Sequence, residues 1–224
     1  MEITDHRLTE MLDLCHAEVP DFEVRFKDKS KLMAFLNFFV QLFNKRFMTT
    51  FTTVIGSKVY FPSEQYLREK PASCAHILAH ELQHMKDAQR MGTFLFVLSY
   101  FMPQILAPLA LLSLLAFWHL GFLAFLIFLV FLAPIPAWGR KEIEMRGYVM
   151  SLAVTYWATG HLMDEDFEHT VQQFTSPSYY FMWPFRDRVM HELKLNAIAI
   201  RSGSICRDPL FAKVRTIFLS DLAR

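Results

Sequence analysis

Hydrophobic and polar positions divide this chain into amphipathic segments on either side of one long apolar stretch. Before that stretch the periodicity predicts helices over residues 3–17 and 31–44 and strands over residues 22–27, 51–55 and 58–61. Gly56-Ser57 separates the last two strands, and glycine at the first position of a two-residue loop favours a type II′ hairpin. Pro62 follows the final strand, which favours an edge position in the sheet.

The remaining pattern is helical. A helix is predicted to begin at Pro71, which the first turn of a helix tolerates, and to stop at Gly92. After the apolar stretch, further helices are predicted over residues 140–159, 164–174 and 187–195, followed by an amphipathic tail over residues 209–222. Together these elements predict an α+β fold that is mainly helical and has one small sheet.

The long apolar stretch contains no Asp, Glu, Lys or Arg from residue 91 to residue 139. One helix over that length would measure about 74 Å at ~1.5 Å per residue, whereas the hydrocarbon core of a bilayer is about 30 Å thick. We therefore predict two membrane spans, residues 94–118 and 122–136, joined near His119, and name residues 93–138 the apolar insert. A hairpin buried in a soluble core and a hairpin that enters the membrane without crossing it are the alternatives.

Charge and cysteine usage indicate where the chain resides. Basic residues flank the apolar insert on both sides and its turn has none, so the positive-inside rule places both flanks in the cytoplasm. The three cysteines are widely spaced and the N-terminus has no secretory signal, as expected for a reducing compartment. A chain with a formal net charge of +1 does not have the excess of basic residues typical of a nucleic-acid binder, so nucleic acid is excluded as a partner. The apolar insert makes membrane lipid the expected partner.

One short motif carries candidate chemistry, the H-E-x-x-H sequence formed by His80, Glu81 and His84. Residues four apart share a helix face, so both imidazoles can reach one metal ion, while Glu81 lies about 100° further round the helix. Zinc proteases use this arrangement, in which Zn²⁺ activates a water molecule and the glutamate acts as general base. His76, one turn earlier, is expected to support the site or to be packed, because a fourth protein ligand would close the open position.

A third metal ligand must come from another part of the chain. Arg90 occupies the position of the third ligand in the metzincin pattern, and arginine cannot bind a metal ion. Glu142 and Glu144 follow the apolar insert, about 200° apart on a helix, so only one of them can face the metal. Glu144 is predicted to be the ligand, because Gly147 and Ser151 lie on its stripe and allow two helices to approach closely; Glu142 is the alternative.

These motifs resemble the gluzincin clan, whose signature is H-E-x-x-H followed by a glutamate with a small residue three positions on. Residues 48–92 and 139–160 are similar to a minigluzincin core, and the apolar insert between them is similar to integral-membrane proteases of the HtpX and CAAX-processing types. The resemblance implies a zincin-like β-hairpin and active helix interrupted by a two-helix transmembrane hairpin, with the catalytic domain split into residues 1–92 and 139–224. Tyr148 replaces the family's aspartate that steadies a ligand histidine, and the paired N-terminal spans of the HtpX type are absent.

The expected function is that of a membrane-embedded zinc metalloprotease with its site at the cytoplasmic face, since two crossings return the chain to one side. A peptide or protein substrate is expected to add to the strand Lys58, Val59, Tyr60 and Phe61. Candidate donors to the oxyanion are Tyr179, Tyr180, His161, His169 and Arg188. The alternatives are a membrane-anchored scaffold with a vestigial or structural zinc site and a membrane hairpin protein without metal.

Overall fold

The described part of the computed structural model comprises residues 6–41, 45, 47–176 and 182–219. Its α-helices are α1 His6–Glu18, α2 Lys31–Val40, α3 Glu64–Glu69, α4 Pro71–Met91, α5 Thr93–Phe101, α6 Trp138–Thr159, α7 Asp164–Thr175, α8 Arg186–Arg201 and α9 Pro209–Leu219. Its strands are β1 Glu23–Phe26, β2 Thr53–Ile55 and β3 Lys58–Phe61, and 3₁₀ helices cover Lys27–Lys29, Gln104–Phe117, Leu120–Leu132 and Ser204–Arg207. The prediction of a mainly helical α+β chain with one small sheet is confirmed.

Local signals explain where the two longest helices begin and end. α4 begins with Pro71 and ends before Gly92. Proline fits the first turn of a helix because the N–H groups there have no hydrogen-bond partner within the helix. α6 ends before Gly160, which adopts a left-handed conformation with φ of 79° and donates its N–H to the Tyr156 carbonyl. The short helix α3 was not predicted, although the Ser63 hydroxyl caps its first turn by accepting a hydrogen bond from the Tyr66 N–H.

The sheet has the order β1-β3-β2, so the prediction of an edge position for β3 is wrong. β3 pairs in parallel with β1 and antiparallel with β2, and Gly56 has φ of 62° in the two-residue loop between β2 and β3. Pro62 lies one residue beyond the last paired position, where its missing N–H costs no ladder hydrogen bond. Because β3 has a paired strand on each side, Lys58–Phe61 has no free edge to which a substrate peptide could add as predicted. The side chains of Val59, Tyr60 and Phe61 are also buried, at 0%, 2% and 0% exposure.

The centre of the fold is the packing of α4 against α6. Both helices bury small and branched apolar side chains in one continuous core, to which α1, α8 and α9 also contribute. An ion pair fastens the two helices together, since the Arg146 Nε lies 2.8 Å from Oδ2 of the buried Asp87. Asp87 also accepts a hydrogen bond from Gln83, one turn earlier on α4. This packing brings the H-E-x-x-H segment of α4 next to the glutamates of α6.

The apolar insert differs from the two long helices that were predicted. α5 ends next to Pro103, because Met102 takes the extended conformation that a residue before proline prefers, and two 3₁₀ helices that pack together follow. Within the described residues no single helix is long and apolar enough to cross a membrane. One pair of helices, Thr93–Phe101 and Gln104–Phe117, is long and apolar enough to cross a membrane when the two are counted together, although the pair is bent by 80°. Core helices of soluble proteins can also pass this test of length and composition.

Candidate metal centre

α4 and α6 bring His80, His84 and Glu144 together in a group able to hold a metal ion. The two Nε2 atoms of His80 and His84 are 3.0 Å apart. Oε2 of Glu144 lies 3.7 Å from Nε2 of His80 and 3.6 Å from Nε2 of His84. Their side chains are 14%, 12% and 5% exposed, in the order His80, His84 and Glu144. The H-E-x-x-H motif and the downstream glutamate therefore form one largely buried cluster.

The three separations fit the dimensions of a zinc site. The three ligand atoms form a triangle, and the point in its plane equidistant from all three lies about 2.0 Å from each of them. Zinc binds histidine nitrogen and carboxylate oxygen at about 2.0–2.2 Å. Two imidazoles and one carboxylate are also a donor set that catalytic zinc sites use, with a fourth position left open. Both the distances and the donor atoms therefore suit a zinc-like ion.

The charge state of Glu144 also suits metal binding. Burial alone would raise the pKa of its carboxyl group, but hydrogen bonding and charge attraction from His80 and His84 hold that pKa well below its usual range. Glu144 is therefore a carboxylate at neutral pH, the form that binds metal ions. Its second oxygen, Oε1, accepts a hydrogen bond of 2.5 Å from the hydroxyl of Tyr100, so both oxygens of the carboxylate have a defined direction.

Two contacts from α6 fix the ring of His80. Nδ1 of His80 lies 3.1 Å from the Ser151 hydroxyl, and the Tyr148 ring packs edge-on against the imidazole with the ring centroids 4.9 Å apart. The tautomer that donates from Nδ1 to Ser151 keeps the Nε2 lone pair for a metal ion, as second contacts of ligand histidines commonly do. Ser151, one turn further along α6 than Tyr148, supplies the polar contact to Nδ1.

Gly147 is the reason that both imidazoles fit between the helices. A Cβ atom at this position would lie 2.8 Å from Cε1 and Nε2 of His80 and 2.8 Å from Cε1 of His84. Contacts this short are not found for real Cβ atoms, so any side chain would displace the rings. The prediction that a small residue one turn after Glu144 makes room for the helices is confirmed at this residue.

Glu142, the alternative ligand, points to a different part of the molecule. Its Oε1 accepts a hydrogen bond of 2.9 Å from Nζ of Lys141, and the largely buried Lys141 also pairs with Glu192 on α8. Among the described residues the metal-ligating group contains Glu144 and not Glu142. The two carboxylates thus serve separate purposes, as their angular separation on α6 requires.

Glu81 and His76 also lie near the cluster, and their pKa values depart from the usual range. Burial raises the pKa of Glu81 to about 7; the charge of Glu144 acts in the same direction and that of His80 opposes it. A carboxyl group with such a pKa can both accept and release a proton near neutral pH. Burial, with a contribution from His80, lowers the pKa of His76 to about 4, so this side chain is neutral at pH 7. His76 does not belong to the metal-ligating group of the described residues.

The predicted oxyanion donors have no described contact with the cluster. Tyr179 and Tyr180 lie outside the described residues. The remaining candidates are exposed and make local contacts, His161 with Thr159, His169 with Gln173, and Arg188 with Phe185. Tyr100 is instead the hydroxyl-bearing residue that the structure brings to Glu144. Sequence reasoning missed it because it lies in the apolar insert, where the hydrophobic pattern gives a tyrosine no distinguishing role.

Comparison of the chain with protein-family models, with curated proteins and with solved structures finds no match. The buried His80, His84 and Glu144 cluster is consistent with an H-E-x-x-H plus glutamate site. Its geometry and its surroundings are therefore the basis for a functional assignment.

Proposed function

We propose that this protein is a zinc-dependent metallopeptidase of the gluzincin type, anchored in a membrane by its apolar insert. The observation that carries the proposal is the convergence of His80, His84 and Glu144 on one point, with Glu81 next to His80 on the same helix. Two features support a catalytic site over a structural one. Structural zinc sites are closed by four protein ligands, whereas this group of the described residues has three, and a carboxyl group with a raised pKa adjoins it.

The roles of the side chains follow from their chemistry. His80, His84 and Glu144 would hold the zinc ion, which when bound supplies a Lewis acid that activates water and polarises a carbonyl group. Glu81 accepts the proton of the attacking water and delivers it to the leaving amine as the C–N bond breaks. Ser151 and Tyr148 keep the imidazole of His80 in place during this step. The resemblance of the motif to that of zinc peptidases makes a peptide or a protein the proposed substrate.

A direct experiment tests the assignment. The full chain, purified in detergent, should contain one zinc ion per molecule and cleave an unstructured protein such as casein, and His84→Ala should lose both properties. Metal binding without cleavage would support the alternative, a membrane-anchored scaffold with a structural zinc site. A chain that takes up no zinc, cobalt or manganese would contradict both readings.

The surface of the apolar insert supports a membrane anchor. Phe94, Leu114, Phe117, Trp118 and Leu120 are 71–76% exposed, and the insert has no charged residue. Large exposed apolar side chains concentrated in one segment favour interaction with membrane or protein, and the basic residues that flank the insert favour the membrane. α4 and α6 hold one site from opposite ends of the insert, so the insert must enter and leave the bilayer on the same face.

A charged residue in the insert should release the protein from membranes. Ile127→Asp is expected to lower partition into vesicles of phosphatidylcholine and phosphatidylglycerol by roughly 100-fold, because Ile127 is 72% exposed near the middle of the second predicted span and an aspartate near the bilayer centre costs about 3 kcal/mol. Flotation of the full chain with these vesicles measures the effect. Ile198→Asp is the matched control, since Ile198 is 63% exposed on α8 and lies outside the insert. Equal flotation of Ile127→Asp and the parent would show that the insert is not the anchor.

A further inference from the structure

Tyr100 reaches the metal-ligating group from within the apolar insert. It lies in the last turns of α5, and its hydroxyl donates a hydrogen bond of 2.5 Å to Oε1 of Glu144. The other oxygen of the same carboxylate, Oε2, faces the imidazoles of His80 and His84 at 3.7 Å and 3.6 Å. One carboxylate therefore joins the insert on one side to the two histidines on the other.

Close packing of α5 against α6 fixes the position of this hydroxyl. A Cβ atom at Gly139 would lie 2.5 Å from the carbonyl oxygen of Ser99, so the two helices approach as closely as a glycine allows. Arg140, the next residue on α6, places its guanidinium group 5.1 Å from the centroid of the Tyr100 ring. The close contact between the helices fixes the backbone next to Tyr100, and the Arg140 cation packs on the ring whose hydroxyl contacts Glu144.

The hydroxyl of Tyr100 matters because Glu144 is buried. A buried carboxylate oxygen that loses its donor cannot be compensated by bulk water, and the carboxylate is then free to rotate. Hydrogen bonds to the distal atom of a metal ligand typically change metal affinity by about 10- to 100-fold, because they orient the ligand and adjust its basicity. Tyr100 is the described residue that makes this bond to Oε1 of Glu144.

We propose that Tyr100 is a positioning residue that orients Glu144 toward the metal ion and couples the apolar insert to the metal centre. This inference rests on the proposed zinc site. Coupling between two sites is reciprocal, so a metal ion that favours the observed direction of Glu144 also favours the docking of α5. A change in the seating of the insert, such as its entry into a bilayer, then alters the affinity of the centre for zinc.

Removal of one oxygen atom tests the proposal. Tyr100→Phe, in the full chain purified in detergent, is expected to bind zinc about 10- to 100-fold more weakly than the parent in competition with a chelator. Tyr156→Phe is the matched control, because it removes a tyrosine hydroxyl from α6 itself, and it should bind zinc as the parent does. A double variant tests whether Tyr100 acts through Glu144. In Glu144→Gln the carboxylate is already lost, so adding Tyr100→Phe should have no further effect on zinc affinity.

Hydrogen exchange tests the coupling between the zinc site and α5 directly. If Tyr100 only stabilised the fold, zinc binding would not change the exchange of the α5 amides. Zinc should slow the exchange of the backbone amides of Thr93–Phe101 in the parent and have little effect on them in Tyr100→Phe. If Tyr100→Phe does not fold, the parent alone decides, and exchange in α5 that is insensitive to zinc would overturn the coupling. If the parent binds zinc and cleaves protein, and the zinc affinity of Tyr100→Phe is within about twofold of the parent's, only the role of Tyr100 is refuted. A parent that binds no metal would refute the proposed function itself.

Discussion

Glu81→Gln is expected to retain one zinc ion per chain and to lower kcat/KM for peptide hydrolysis by about 10²- to 10⁴-fold, the usual contribution of a general base. Glutamine has the size of glutamate, but its amide nitrogen donates hydrogen bonds where a carboxylate oxygen accepts them, and it cannot take a proton from water near neutral pH. His80, His84 and Glu144, the proposed metal ligands, are unchanged in this variant. Metal analysis of the purified protein and initial rates on a quenched fluorescent peptide measure the two quantities separately.

Glu142→Gln is the matched control for this experiment. The change is chemically the same and lies on the neighbouring helix α6, but Glu142 contacts Lys141 and is not part of the metal-ligating group. Lys141 keeps its second partner, Glu192, so little change in zinc content or activity is expected. Hydrolysis by Glu81→Gln at the parent's rate would exclude Glu81 as the base, whereas loss of zinc in Glu142→Gln would exclude Glu144 as the sole carboxylate ligand.

The part of the site that could be predicted from the sequence depends on geometry within single helices. His80 and His84 share a face of α4 because four residues make slightly more than one turn, whatever the remainder of the chain does. The choice of Glu144 over Glu142 required one more assumption, that two helices meeting at a metal ion need a small residue at their contact. Gly147 fulfils that assumption, since its missing side chain is the space that the imidazoles occupy.

The features that could not be predicted depend on contacts between distant segments. β1 lies beside β3 in parallel, with Glu23 opposite Lys58, and no local pattern reveals such a pairing. Pro62 was therefore taken as the mark of an edge strand, although a proline just beyond a strand says nothing about its neighbours. Tyr100 lies in the apolar insert, where nothing in the sequence distinguishes it from its neighbours. Its contact with Glu144 arises because α5 packs against α6, and hydrophobic periodicity does not reveal which helices pack together.

Gly147→Ala is expected to weaken zinc binding by about 100-fold or more, the upper end of the range for changes around metal ligands. The added methyl group would lie 2.8 Å from Nε2 of His80, the atom that must point at the metal, and 2.8 Å from Cε1 of His84. Both rings must then turn away, or α4 and α6 must separate. In the metal-free protein the rings can move aside, and alanine favours a helix interior over glycine by about 1 kcal/mol, so the fold itself should lose little stability. Chelator competition and thermal unfolding with and without zinc measure the two effects.

Gly160→Ala distinguishes displaced imidazoles from a general disturbance of α6. This substitution also adds one methyl group to a glycine of α6 or its cap, but nothing lies within 4 Å of the new Cβ position, and φ of 79° is a conformation that alanine rarely adopts. It is expected to cost about 1–2 kcal/mol of folding stability through backbone strain and to leave zinc affinity unchanged. The two variants should therefore show opposite patterns, with metal binding lost and stability kept in Gly147→Ala, and the reverse in Gly160→Ala. Zinc affinity at the parent's level in Gly147→Ala would mean that the ion does not bind between these imidazoles.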